Sequence, residues 1–164
     1  MINVRPLNLS DVPRMVVINE QGLPGTGKVS ELEMEDVLSL CETALGAYQD
    51  GVLVGFVLCL LPQTRYASLN YAWFNQRYTE FLYVDRVAVA DDARNNGVGT
   101  LLYERVFAHA DALNSPVAAE VSLRPPNPGS IRFHERHGFD TVGVFEQKEK
   151  AVTMMVRILG RNRT

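Results

Sequence analysis

A turn with the sequence RNNGVG, residues 94–99, constrains the fold of this chain more than any other segment. It lies between an alternating apolar run, residues 81–90, and a pattern in which apolar residues recur every three or four positions from Val98 onward. Such a pattern predicts a helix with one face on a sheet. The two glycines allow a sharp turn and the close approach of a ligand to the backbone. Because the first turn of a helix has unpaired N–H groups and a positive dipole end, the segment predicts a phosphate site.

A dinucleotide site is disfavoured at this turn. The corresponding fingerprint needs a third glycine, which residues 98–102 do not supply, and an acidic residue that follows about 20 positions later. Glu120 stands at a loosely suitable distance, but it falls inside the next apolar run rather than clearly at its end.

A P-loop is a second alternative, because residues 22–28 read GLPGTGK. However, Val29 stands where a hydroxyl must bind magnesium, and Ser30 with Glu33 predicts a capping box that starts the next helix beyond Lys28. The preceding residues 12–21 also predict a helix, not a strand. A P-loop nucleotide-binding protein is therefore an unfavoured alternative.

A second informative segment, NPGSIRFHERHGF, spans residues 127–139. Prolines at positions 125, 126 and 128 end the strand predicted for residues 117–123 and delay a helix until about Gly129. Helical spacing then continues to Gly138, a typical helix stop, and Phe139 opens another strand. The alternative interpretation is simple packing of Ile131 and Phe133 on the sheet.

Together, the two segments resemble consecutive motifs of the GNAT superfamily of N-acyltransferases. RNNGVG resembles its acyl-CoA pyrophosphate motif, [QR]-x-x-G-x-[GA], and matches all three specified positions. Residues 127–139 resemble its next motif, an Asn, a short helix with an aromatic dyad and a Gly-Phe exit. The resemblance covers roughly the last half of the chain by motif and the first half by element order alone.

The element order agrees with that superfamily. Residues 2–5 predict a strand, Ser10 predicts the N-cap of a helix, and Asp50 with Gly51 predicts the turn of a hairpin. The predicted order is βααβββαβαββ, an α/β fold with a mixed sheet and, as the resemblance implies, splayed central strands. No repeat or long linker interrupts the sequence, so one domain spanning 1–164 is expected.

The resemblance implies acetyl-CoA as co-substrate, with no metal. Its diphosphate would lie on the glycine turn, and its pantetheine arm would pair with the strand before that turn like an added strand, where backbone N–H groups polarise the thioester carbonyl. The cofactor-binding residues expected on this basis are Val87, Ala88, Val89, Arg94, Asn95, Asn96, Gly97, Val98, Gly99, Thr100, Asn127 and Ser130.

His134 occupies the position at which many members of the superfamily carry a tyrosine that protonates the departing CoA thiolate. An imidazole has a pKa of about 6.5 against about 10 for a phenol, so His134 would be largely neutral yet still able to donate a proton. Two roles stay open for His134. It could donate a proton to the departing thiolate, or it could only form hydrogen bonds while the thiolate leaves unaided.

The acceptor amine needs a base, and carboxylates are the candidates. Asp85, Glu120 and Glu80 lie on or beside the predicted cofactor strands. Asp85 shares strand parity with Tyr83 and Val87, which predicts one face for these three. The alternative for each acid is a solvated or Arg-paired carboxylate, and Asp85 is followed directly by Arg86.

Aromatic residues are dense between positions 66 and 83. They predict either a wall of the acceptor pocket or a helix-bearing insertion packed on the sheet or in a dimer contact. The aromatic residues concerned are Tyr66, Tyr71, Trp73, Phe74, Tyr78, Phe81 and Tyr83.

Composition limits the classes of partner and the location that the sequence predicts. A net charge of -3 over 164 residues does not favour nucleic acid or an anionic membrane, and weakly suits a cationic acceptor. No apolar stretch approaches the ~18 residues of a membrane span, and no signal peptide is recognised. Cys41 and Cys59 predict buried free thiols, so a cytoplasmic location is expected.

The sequence thus predicts an N-acetyltransferase that acts on a primary amine of a small molecule or amino acid. A homodimer is left open. The main alternative is a non-catalytic acyl-CoA-binding module, which would keep the glycine turn and Asn127 without an acid or base.

Overall fold

The computed structural model describes residues 1–23 and 27–158, and within these ranges it contains seven strands and five α-helices. The strands are β1 (Ile2–Pro6), β2 (Thr43–Gln49), β3 (Val52–Leu60), β4 (Leu82–Val89), β5 (Val117–Arg124), β6 (Phe139–Gln147) and β7 (Lys150–Arg157). The helices are α1 (Val12–Gln21), α2 (Glu31–Leu40), α3 (Leu69–Arg77), α4 (Val98–Ala112) and α5 (Pro128–Arg136).

The strands form one mixed sheet in the order β1-β2-β3-β4-β5-β7-β6. Neighbours run antiparallel except β4 and β5, which are parallel and pair only at Leu82 with Val117 and Tyr83 with Ala118. Beyond Tyr83 the two strands diverge, while the other edge of β4 remains paired with β3 as far as Val89. The expected splay of the central strands is therefore present, and it opens a cleft in the middle of the sheet.

Local sequence signals account for most element boundaries. Ser30 and Glu33 form the predicted capping box, with each side chain bonded to the backbone N–H of the other residue at 3.0–3.1 Å. Asp50 and Gly51 make the hairpin turn with φ of 52° and 80°, the left-handed values that such a turn requires.

Two details differ from the sequence prediction. The N-cap assigned to Ser10 is wrong: Asn8 caps a short 3₁₀ turn, Leu9–Asp11, and α1 begins only at Val12. The side chain of Asn8 accepts the N–H of Ser10, so the strongest local cap lies two residues earlier. The predicted order also lacks α3, which lies between β3 and β4.

Helix α3 is held on the sheet by aromatic packing. Tyr71 and Phe74 on the helix are buried, and both contact Phe81 and Tyr83, with ring centroids 5.1–6.2 Å apart. The interpretation as a helix-bearing insertion packed on the sheet is thus correct for these residues. No helix among the described residues has both the length and the apolar character needed to cross a bilayer.

The first turn of α4 lies directly against β3. A Cβ added at Gly55 would stand 2.8 Å from a Val98 methyl and 3.2 Å from the carbonyl oxygen of Ala88. A side chain at position 55 would push the two elements apart, so Gly55 allows the start of α4 to reach the central strands. The thiols at Cys41 and Cys59 are unpaired, with Cys59 buried and Cys41 partly buried.

Candidate active site

A cavity of about 1020 Å³ occupies the opening between β4 and β5. Its walls are the diverging strands, the first turn of α4, the start of α5 and the residues leading into α3. All of the expected cofactor-binding residues except Asn96 line this cavity. The sequence motifs, although distant along the chain, therefore meet at one site.

One end of the cavity is the N-terminus of α4. Gly97 precedes the helix in the left-handed conformation, with φ of 78°, and no side chain within the described ranges caps the turn. The first helical bond here runs from the N–H of Leu101 to the carbonyl oxygen of Gly97. The N–H groups of Val98, Gly99 and Thr100 are consequently open donors, and together with the helix dipole they suit a phosphate group.

The side chain of Arg94 contacts residues that precede the turn and the end of α1. Its guanidinium contacts the carboxylate of Asp91 at 3.1 Å and donates to the carbonyl oxygens of Gln21 at 3.0 Å and Val89 at 3.4 Å. Arg94, which the resemblance places among the cofactor-binding residues, thus contacts a neighbouring carboxylate. The side chain thereby ties the end of α1 to the end of β4.

Strand β4 supplies the long wall of the cavity. From Val84 to Val89 it has no partner on the β5 side, so its backbone groups on that edge remain available. The register with β3 shifts where Leu58 pairs with Arg86 and Cys59 with Val84, which leaves Asp85 as the extra residue of a bulge. The shared parity expected for Tyr83, Asp85 and Val87 is interrupted by this bulge.

Asp85 is committed to an ion pair. Its Oδ2 lies 2.8 Å from Nε of Arg86, and the two side chains are only 4% and 11% exposed. Arg86 also donates to the side-chain oxygen of Asn19 and to the carbonyl oxygen of Gly27. By orienting Arg86, Asp85 therefore helps to hold α1 and Gly27 against β4. Glu80 is exposed and does not line the cavity.

Glu120 on β5 differs from both of these acids. Its Oε1 accepts the hydroxyl of Tyr83 at 2.7 Å and the side-chain N–H of Asn70 at 3.2 Å. Its Oε2 is buried and has no hydrogen-bond partner within the described part of the chain. Burial raises the pKa of this carboxyl to about 8, against the opposing effect of the hydrogen bond from Tyr83. A carboxyl with a pKa near the working pH is well suited to general-base catalysis.

His134 is buried and bonded through both ring nitrogens. Its Nδ1 lies 2.8 Å from the carbonyl oxygen of Ser130, which can only accept, so Nδ1 carries the proton. The other nitrogen, Nε2, then accepts the hydroxyl of Tyr103 at 2.7 Å. Burial lowers the pKa of His134 to about 4, which keeps the ring neutral at physiological pH.

Asn127 and Ser130 combine packing and site roles. The side-chain oxygen of Asn127 accepts the N–H of Ser130 at 3.2 Å and caps α5, and Pro128 occupies the first helical position. The helix therefore starts one residue earlier than the prolines led us to expect. Both residues line the cavity beside His134.

The aromatic stretch contributes less to the site than its composition indicates. Tyr66 alone of its seven aromatic residues lines the cavity. The sequence did not single out Asn70 or Tyr103, which contact Glu120 and His134 across 50 and 31 positions of the chain. Tyr103 lies on the apolar face of α4, which is the one signal that could have drawn attention to it. Asn70 has no such local signal.

Comparisons with known proteins identify the family of this chain. The chain matches the acetyltransferase (GNAT) family over residues 20–139. It is 30% identical over 119 residues to a protein described as probable N-acetyltransferase san from Drosophila melanogaster, a match that covers 71% of this chain and 57% of that protein. The chain thus spans little more than half the length of this relative.

Solved structures share the fold. Ard1 from Thermoplasma volcanium superposes with a TM-score of 0.78 at 19% identity, covering 98% of this chain and 99% of that one. Naa50 from Arabidopsis thaliana, in complex with the bisubstrate analogue CoA-Ac-MVNAL, gives 0.73 at 13% identity, with 95% and 97% covered. This protein therefore belongs to the acetyltransferase (GNAT) family.

Proposed function

We propose that this protein transfers an acetyl group from acetyl-CoA to a primary amine of a small molecule or amino acid by direct attack. The observation that carries the proposal is Glu120, a carboxyl with a pKa raised to about 8 and a free Oε2, set at the opening between β4 and β5. It lies across this opening from an unpaired strand edge that can bind an acyl thioester.

The cavity suits acetyl-CoA in its shape and in its donors. The diphosphate would accept from the N–H groups of Val98, Gly99 and Thr100 at the start of α4. The pantetheine arm would lie along the open edge of β4, where Val87 and its neighbours offer backbone donors and acceptors. A backbone N–H on this edge would also polarise the thioester carbonyl and stabilise the oxyanion that forms on attack.

Glu120 would act as the base. Its carboxylate takes one proton from the attacking amine while the nitrogen forms a bond to the carbonyl carbon; the carbon–sulfur bond then breaks and its electron pair leaves with CoA as thiolate. Tyr83 and Asn70 hold Oε1 during this step and leave Oε2 for the proton. Asp85 is not needed as a base, because Arg86 already neutralises it.

A second candidate acceptor is the amino terminus of a peptide. It is supported by the Naa50 neighbour, which was solved with a peptide-bearing analogue, although that likeness concerns the fold. The two candidates share one chemistry, the acetylation of an uncharged amine, and differ in how much of the acceptor the protein contacts.

A panel of acceptors tests the proposal. Release of free CoA thiol from acetyl-CoA is measured with amino acids, small primary amines, diamines and short peptides at equal concentration. We expect turnover with at least one small primary amine and slower turnover with the peptides. Tight binding of acetyl-CoA without turnover on any acceptor would instead favour a non-catalytic acyl-CoA-binding module.

Substitution of His134 by alanine should reduce stability while leaving the pH dependence of activity in place. The change leaves the buried Tyr103 hydroxyl without its acceptor, which costs about 1–3 kcal/mol in the free energy of unfolding. Since the pKa of His134 is about 4, its ring does not titrate where the enzyme works. Chemical denaturation and the pH profile of kcat measure the two effects.

Tyr103→Phe provides the control for His134→Ala, because the double variant has no buried hydroxyl left without an acceptor and should recover part of the lost stability. If the fall of kcat at alkaline pH disappeared in His134→Ala but not in Tyr103→Phe, the imidazole would be shown to act as the acid for the thiolate.

A further inference from the structure

We propose that the acceptor is an amine that also carries an anionic group, and that it binds in a second cavity between the start of α3 and the β6–β7 hairpin. This inference rests on the proposed function and extends it to the class of acceptor. The second cavity has a volume of about 270 Å³. Ser68, Asn70, Lys150, Ala151 and Val152 line both this cavity and the larger one, so the two spaces adjoin at a junction where Asn70 contacts Glu120.

Two buried oxygens at this junction lack donors. Neither Asn70 Oδ1 nor Glu120 Oε2 has a hydrogen-bond partner within the described ranges, although the amide nitrogen of Asn70 donates to Glu120 Oε1. Buried acceptors without a donor are costly, and once Glu120 is ionised the N–H groups of a primary amine would satisfy both. With Asn70 still bonded to Oε1, the amine nitrogen would lie next to Oε2, which is the atom that takes its proton.

The opposite wall of the cavity suits an anion. Ser68 caps α3 by accepting the N–H of Tyr71, which leaves the N–H groups of Leu69 and Asn70 as open donors of the first turn. Lys150, at the start of β7, lines the same cavity and makes no ion pair among the residues that the structure describes. The first turn of α3 and Lys150 therefore line the same cavity, and both favour an anion there.

The charges around the junction also favour an acceptor that carries an anionic group. Asp85 is neutralised by Arg86, and the raised pKa of Glu120 keeps much of this carboxyl protonated at neutral pH. Among the described residues that line the second cavity, Lys150 alone is charged, and it is cationic. Although the whole chain is acidic, this local charge favours an acceptor with a carboxylate or similar group over a polycation.

Matched acceptors and a lysine variant test this inference. Steady-state kinetics compare an amino acid with its carboxamide, which lacks the negative charge, and kcat/KM is calculated from the concentration of uncharged amine because the carboxamide has the less basic amine. We expect the amino acid to have the higher kcat/KM, and Lys150→Met to raise its KM about tenfold, the loss of one charge-assisted contact, while changing the carboxamide by less than twofold. Lys148→Met is the control, since Lys148 is exposed in the same hairpin and lines neither cavity.

A second variant tests the amine end. Asn70→Ala should slow both acceptors equally and move the rise of kcat/KM to higher pH, because the hydrogen bond from Asn70 lowers the pKa of Glu120. Asn75→Ala is the control on the same helix: its side chain accepts the N–H of Gln63, away from Glu120, and its pH profile should match the wild type.

The outcomes separate this inference from the proposed function. Equal kcat/KM for the amino acid and its carboxamide, or an equal response of both to Lys150→Met, would overturn the anionic acceptor and leave the acetyltransfer intact. If no amine is acetylated, calorimetric binding of the same pair in the presence of CoA decides the inference directly. Weaker binding of the carboxamide than of the amino acid would support the inference, provided that this difference disappears in Lys150→Met. Equal binding of the two acceptors would refute it.

Discussion

Replacing Glu120 by glutamine is expected to lower kcat by about 10²- to 10⁴-fold, the usual contribution of a general base. The amide keeps the size of the side chain and an oxygen that can accept from Tyr83 and Asn70, so the fold should persist. It cannot take a proton from the amine. Steady-state kinetics with acetyl-CoA and the best acceptor of the panel measure the effect.

The pH dependence sharpens this prediction. The pKa of Glu120 is raised by burial to about 8, and only the ionised form can act as base, so the activity of the wild type should rise with pH through about 8. Glu120→Gln should lose this rise. Glu80→Gln, at an exposed position outside the cavity, should keep it. A Glu120→Gln enzyme with near-normal kcat would exclude Glu120 as the base.

The second large effect is expected at Gly97. Its φ of 78° is strained for any side chain and most of all for a β-branched one. Gly97→Val should leave this conformation and turn the N–H groups of the first turn of α4 away from the diphosphate. With charge-assisted hydrogen bonds worth about 1.5–3 kcal/mol each, loss of two weakens CoA binding by 100-fold or more. Isothermal titration calorimetry with CoA measures the change.

Gly51→Val supplies the matched control for strain. Gly51 has φ of 80° in the β2–β3 hairpin, and at either glycine an added Cβ would have no described residue within 4 Å apart from its immediate chain neighbours. Both variants should lose stability, but only Gly97→Val should lose CoA. An unchanged dissociation constant in Gly97→Val would remove the diphosphate from the start of α4.

The two glycines of the turn differ in their surroundings. A Cβ at Gly99 would lie 3.4 Å from the ring of Phe133, which is an ordinary van der Waals distance, so a methyl group would fit there against α5. The motif assigns both glycines to the phosphate. Spacing alone could not distinguish them, because the contact at Gly99 is made by a residue 34 positions away in the sequence.

The acid and base candidates could not be distinguished from the sequence either. Asp85, Glu120 and His134 are similar in the sequence, each polar in or near an apolar run. Burial and partners separate them: Arg86 neutralises Asp85, Ser130 and Tyr103 occupy both nitrogens of His134, and Glu120 keeps one oxygen free. A pKa depends on desolvation and on neighbours from other elements, which local sequence does not contain.

The sequence by itself predicted the family, the order of most elements and the residues that we propose for the cofactor end of the site. These features depend on short segments whose backbone conformation follows from their own residues, such as the glycine turn at 94–99 and the Asn-capped helix at 127–139. The tertiary structure alone decided which residues we propose for the acceptor end. There α3 brings Asn70 to Glu120 across 50 residues, and contacts of that range arise from the packing of whole elements.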